Sequence, residues 1–212
     1  MTPMTAPMGL AMLAWIACFV GLRAHGAWWQ FAVVGALLAG FATWRDARTR
    51  AMLRVTWRHV ALGCAVGLAM AAATHVGYRV LAQASPGFQH ATSSLFVALQ
   101  VSGYATTTMA GLIVVVAASE EFIFRGVVLE RGTEAPQGLS RHRAPFARVA
   151  IWAGIYALTT LPLGSALLMA CAFGCGLIWG VLRLATGSLV AAMLAHVLWD
   201  LGVLVVWPLH SG

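Results

Sequence analysis

Two glutamates stand side by side, Glu120 and Glu121, at the end of the apolar run 109–119, with Arg125 one turn further on. The chain has only six acidic residues, and two of them fall together here. An ionisable side chain at the centre of a membrane helix costs roughly 2.5–3.5 kcal/mol on insertion scales, so such a residue is a candidate functional group. At about 100° per residue, Glu121 and Arg125 lie about 40° apart around a helix. The acid precedes the cation, which is the favoured order. Arg125 is therefore the expected partner of Glu121. Glu120, rotated by about 100°, is left for another group and is the candidate general base, because neighbouring carboxylates in different surroundings take different roles. The alternative is a charge cluster that only ties helices together.

His196 and Asp200 form a second polar pair, again at i and i+4, and so share one helix face. An imidazole beside a carboxyl group suits proton handling, oxyanion stabilisation or metal binding. A third helix offers Tyr156, Thr159 and Thr160. Threonine hydroxyls commonly bond back to their own helix. His75 and Tyr78 are further polar positions, read first as packing residues, with His75 a possible stand-in base.

The elements that must position these groups are membrane helices. The chain has 212 residues, 61% of them hydrophobic and 9% charged, with a mean hydropathy of +0.85. A soluble domain carries about 25% charged residues, so a soluble domain is excluded. Short alternating segments are absent, which excludes a barrel. The expected class is all-α, a polytopic bundle of about seven transmembrane helices. The segments are roughly 8–22, 27–44, 59–82, 104–128, 147–162, 164–182 and 187–208, the first of them short. Residues 161–164 read as a tight turn, and 84–103 as a loop plus a short amphipathic or re-entrant piece.

The net charge of +7 comes from thirteen arginines without a lysine. They cluster between the second and third segments (Arg45, Arg48, Arg50, Arg54, Arg58), between the fourth and fifth (Arg131, Arg141, Arg143, Arg148), and at Arg183. With seven spans these loops share one side, expected to be cytoplasmic. That puts the N-terminus and the glutamate end of the fourth segment on the cytoplasmic side, in what is expected to be a bacterial cytoplasmic membrane. Arg23 and Arg79 are exceptions at outer ends. No polar basic domain is present, so nucleic acid is not an expected partner; the lipid bilayer is. The four cysteines lie in apolar segments and read as packing residues. Gly176 and Gly180 form a GxxxG, read as internal helix packing around the site.

Glu120-Glu121-Phe-Ile-Phe-Arg125-Gly126, then His196-x-x-x-Asp200 preceded by Thr186-Gly187-Ser188-Leu189, resemble the CAAX prenyl protease and bacteriocin-processing (CPBP) family of intramembrane proteases. The resemblance covers about 104–205. It implies a glutamate-type protease core over 104–208, with 1–103 supplying N-terminal membrane helices and a loop, in a single membrane domain. The family pattern Glu-Glu-x-x-x-Arg, Phe-x-x-x-His, His-x-x-x-Asn/Asp departs at its second motif. Tyr156 stands for phenylalanine, and Thr160 stands where histidine is expected. Carried over, Glu120 is the base, Arg125 holds Glu121, and His196 with Asp200 forms the oxyanion-side pair. A threonine hydroxyl orients water but is no base near neutrality.

The resemblance thus implies an intramembrane endopeptidase, with Thr160 setting its activity in question. The alternative is a weak or inactive member that binds a membrane partner. The expected substrate is a membrane-associated peptide or protein entering laterally between helices. No cofactor is expected; Glu120, His196 and Asp200 could supply ligands to a divalent metal, but a metal-free, glutamate-activated water is favoured.

Overall fold

The computed structural model describes residues 5–45, 47–129 and 144–209. Helix α1 (Thr5–His25) turns at Gly26, φ 63°, into α2 (Trp28–Arg45). The short α3 (Ala47–Ala51) leads to α4 (Trp57–Ala84), the longest helix. Ser85 ends α4 and caps α5 (Pro86–Leu99): its hydroxyl accepts from Phe88 N, and Pro86 opens the new helix where no N–H is needed. Helix α6 (Thr106–Glu120) runs straight into a π-helical stretch, Glu121–Val128. Then come α7 (Ala144–Thr159), α8 (Ala166–Thr186) and α9 (Leu189–Asp200), the last again continued by a π-helical stretch, Leu201–Val206.

The architecture is an all-α polytopic membrane bundle. Five helices among the described residues are long and apolar enough to cross a membrane, and Gly9–His25 and Trp28–Trp44 are shorter apolar helices. All seven sequence segments reappear, with shifted ends. The first, read as short, is part of a 21-residue helix. The region 84–103 needs correction. It is not mainly loop: α5 takes 14 of its residues, and three more form a 3₁₀ turn. The sequence disguises this helix behind Pro86-Gly87 and Ser93-Ser94, although the proline sits at the one position a helix tolerates.

Hydrogen bonds between turns fix which ends lie together. At one end Met52, between α3 and α4, accepts through its carbonyl from Leu189 N (2.9 Å), and its sulfur meets Arg183 (2.9 Å). Arg148 bonds the Leu129 carbonyl there. At the other end Arg23 donates to Pro162 O (2.6 Å), Trp28 to Leu99 O (2.7 Å) and Tyr104 to Gly26 O (2.7 Å). Arg23, an exception to the charge pattern, thereby closes the α7–α8 turn. Arg131, Arg141 and Arg143 lie outside the described residues.

Close helix approach is made on small residues. A Cβ at Gly63 would sit 2.6 Å from Ala191 O, and one at Gly67 would sit 2.7 Å from Ala195 O. With Ala71, which a Cβ on Gly202 would meet at 3.1 Å, they form a stripe along α4 on which α9 rests. In lipid, such packing rather than the hydrophobic effect holds helices together. Gly176 lies against Ala153 and Gly180 against Val149, so the GxxxG joins α8 to α7 inside the chain. Replacing Gly67 by valine should push α9 off α4 and destabilise the protein by about 1–3 kcal/mol. Gly111→Val, where nothing lies within 4 Å of the new Cβ, should change stability by less than about 0.5 kcal/mol. Thermal unfolding of both variants in detergent measures the difference.

Candidate active site

Four helices bring the polar groups together about one third of the way through the bundle. Glu120 lies eight residues before the end of the α6–π helix, and His196 lies seven residues after the start of α9. Both are therefore roughly 10 Å from the arginine-bearing end at 1.5 Å per residue. Both helices widen into π turns at the site itself, after Glu120 and after Asp200. The bond Leu129 N–H to Phe124 O and the bond Trp207 N–H to Gly202 O span five residues. Such widened turns are frequent at functional sites.

Glu121 is wholly buried, and its Oε1 serves two partners. Arg125 Nη1 stands 3.1 Å away, and His196 Nδ1 stands 2.9 Å away. A carboxylate can only accept, so Nδ1 donates and Nε2 is left facing the other side. Arg125 is covered by rings: its guanidinium carbon lies 4.8 Å from the Tyr156 ring centroid, 5.4 Å from Trp179 and 5.9 Å from Phe124. Cation–π contacts of this kind contribute up to about 2 kcal/mol when desolvated. Trp179 also stacks on His196, centroids 3.6 Å apart at 20°. The imidazole is thus held by a carboxylate at one nitrogen and by an indole on its face.

Glu120 points elsewhere, as the 100° rotation requires. Its Oε1 accepts from Trp15 Nε1 (3.2 Å), and its Oε2 accepts from the Tyr156 hydroxyl (2.6 Å). His196 Nε2 lies 3.6 Å from Glu120 Oε2 and 3.4 Å from Asp200 Oδ2. Glu120, Tyr156, Thr160, His196 and Asp200 all line one cavity of about 360 Å³. The rest of its wall is mostly apolar, with Phe19, Trp28, Tyr78 and Phe88 among the aromatic residues.

The structure therefore gathers Glu120, Glu121, Arg125, His196 and Asp200. Two placements differ from expectation. Glu121 is not only Arg125's partner but also the anchor of His196, which joins α6 to α9. Thr160 reaches the cavity wall, but its hydroxyl donates to Ala157 O at 2.8 Å. Thr159 likewise donates to Tyr156 O at 2.7 Å. Both hydroxyls bond back to carbonyls in the last turn of α7, close before Pro162. The His75 ring lies against other groups: its Nε2 is 3.4 Å from Gly202 O, and the ring packs on Trp207. Nothing in the sequence marks Trp15, because a tryptophan in an apolar helix shows nothing of where its N–H points. Among the described residues no three His, Cys, Asp or Glu side chains are arranged to hold a metal ion.

Residues 102–202 match the family described as Type II CAAX prenyl endopeptidase Rce1-like. The likeness to this family is thus confined to the C-terminal part of the chain. The matched segment, just under half of the 212 residues, contains every charged group of the site. Trp15 lies outside it. No curated protein and no solved structure matches the chain. The long apolar helices mark an integral membrane protein, and its C-terminal part is similar to the CAAX protease-like, intramembrane endopeptidases of that family.

The Glu121–Arg125 pair yields a stability prediction. Arg125→Ala would leave a buried carboxylate without its cation, and breaking such a pair costs about 3–5 kcal/mol. The double variant Glu121→Gln/Arg125→Met, which removes both charges, should recover a large part of that loss. Melting of wild type and both variants in the same detergent is the measurement.

Proposed function

We propose that the chain hydrolyses a peptide bond within the membrane, using a water activated by Glu120. The observation that carries this reading is the meeting of Glu120, His196 and Asp200, within 3.6 Å of one another through His196 Nε2, at the wall of the apolar cavity. Glu120 takes a proton from water as the hydroxide adds to the scissile carbonyl carbon. His196, oriented by Glu121 through Nδ1, turns Nε2 toward the developing oxyanion. With Nδ1 donating to Glu121, only the imidazolium can donate from Nε2, and Asp200 at that nitrogen favours the ion. Arg125 and Glu121 keep the frame and do not touch substrate.

The substrate in this reading is a membrane-associated peptide or protein. It would reach the cavity laterally past α4, a helix that is mostly lipid-facing yet contributes Thr74, Gly77 and Tyr78 to the cavity wall. The arginine-bearing end, and with it the site, would be cytoplasmic. No metal is required, because the nucleophile's base and the oxyanion donor are both side chains.

A specific observation favours a second reading. Thr160 occupies the histidine position and bonds its own helix, as expected of a weak or inactive member that binds a membrane partner through the same cavity. Cleavage of a membrane-anchored peptide by detergent-solubilised protein separates the two. Glu120→Gln and His196→Ala should each lower turnover by at least about 10²-fold, while a chelator leaves wild-type turnover unchanged. A silent wild type that gains cleavage with Thr160→His would establish the second reading. Turnover indifferent to Glu120 would sink the mechanism.

A further inference from the structure

Glu120 has a close partner on α7, but not from position 160. The Tyr156 hydroxyl, one turn earlier on the same face, donates to Glu120 Oε2 at 2.6 Å. That length is typical of a charge-assisted O–H···O⁻ bond, about 2.5–2.7 Å. The ring is fixed on both sides. Phe124 packs on it at 4.8 Å and 64°, and the Arg125 guanidinium lies 4.8 Å from its centroid. Tyr156 and Glu120 are buried, and both line the cavity, so the bonded pair stands where substrate must lie. A phenylalanine would fill the same space without the oxygen.

We propose that Tyr156 is a catalytic residue of this site, supplying from α7 the hydrogen bond and proton transfer that Thr160 cannot. The proposal rests on the peptidase reading above. In the resting site the phenol orients the Glu120 carboxylate. Water gives a proton to Glu120, and the hydroxide forms the new C–O bond. As the C–N bond breaks, the Tyr156 proton passes to the amine nitrogen, and the phenol oxygen takes the proton held by Glu120. Carboxylate and phenol return to their starting forms, and one water has been added across the peptide bond. A threonine at 160 does not compete for the carboxylate, because its hydrogen is directed to Ala157 O.

The test is steady-state cleavage by Tyr156→Phe and by Tyr156→Phe/Thr160→His, with melting used to verify that both are folded. Tyr156→Phe should lower kcat by about 10²–10⁴-fold and leave KM unchanged, the signature of an interaction made in the transition state. The added histidine should restore turnover by at least about tenfold, as an acid–base group returned to the same helix face would. Wild-type kcat in Tyr156→Phe, or a loss confined to KM, overturns the proposal. If wild type cleaves nothing, the peptidase reading fails first, and infrared spectra then judge the pairing. The carboxyl band absent from Glu120→Gln must shift in Tyr156→Phe; an unshifted band overturns the Tyr156–Glu120 link as well.

Discussion

A carboxylate that is wholly enclosed among apolar helices has no water to solvate it, and Glu121 is in that position. It must be compensated inside the bundle, and its Oε1 meets two groups, the Arg125 guanidinium as an ion pair on its own helix and the His196 N–H donor on α9. Losing either compensation would cost several kcal/mol, more than any single aliphatic contact contributes. The pairing therefore sets the relative height and rotation of α6 and α9. Once Arg125 is drawn inward, its remaining charge needs cover, and Tyr156 of α7 and Trp179 of α8 provide ring faces for it. One buried anion thus reaches the four helices α6 to α9 among the described residues.

Such a network needs helices whose backbones come close enough for short side-chain bonds, and the contacts made by small residues show how this is met. Gly63 and Gly67 seat α9 at Ala191 and Ala195, directly before His196. Gly176 and Gly180 seat α8 on α7 beside Arg125 and Tyr156. Gly35 of α2 faces Ser119, the residue before Glu120, and stands near the Trp15 ring. Polar groups supply strong directional bonds, and glycines supply the distances at which those bonds form. Neither suffices alone, because lipid gives helices little hydrophobic reason to pack.

Local features of the chain announce local geometry. The seven apolar segments follow from hydropathy, and the Glu121–Arg125 and His196–Asp200 pairs follow from the spacing of residues on a helix. What crosses between distant helices leaves no such mark. Trp15 donates to Glu120 over 105 positions, and hydropathy counts its indole as apolar. Tyr156 was visible as a departure from Phe, but the target of its hydroxyl depends on how α7 rotates against α6. The stripe Gly63, Gly67, Ala71 has the same four-residue period as the GxxxG at Gly176, yet only packing reveals which of many small-residue pairs meets a backbone. Helix α5 was obscured because proline, glycine and serine signal breaks when met alone and caps when met in order.

The division of labour between the halves follows from the same contacts. The groups that handle charge, Glu120 to Arg125, Tyr156, His196 and Asp200, all lie within 102–202. Much of the apolar cavity wall comes from outside that segment, from Phe19 of α1, Trp28 of α2, Tyr78 of α4 and Phe88 of α5. The two halves are not independent modules, because Trp15 places a donor from the N-terminal half on the Glu120 carboxylate itself. A change in the wall that tilts α1 would therefore be felt at Glu120 through that bond, whereas a change in α5 would alter cavity shape without touching the carboxylate. Selectivity for what fills the cavity can be varied through α4 and α5 at little expense to the charged network, and α1 is the helix on which both depend.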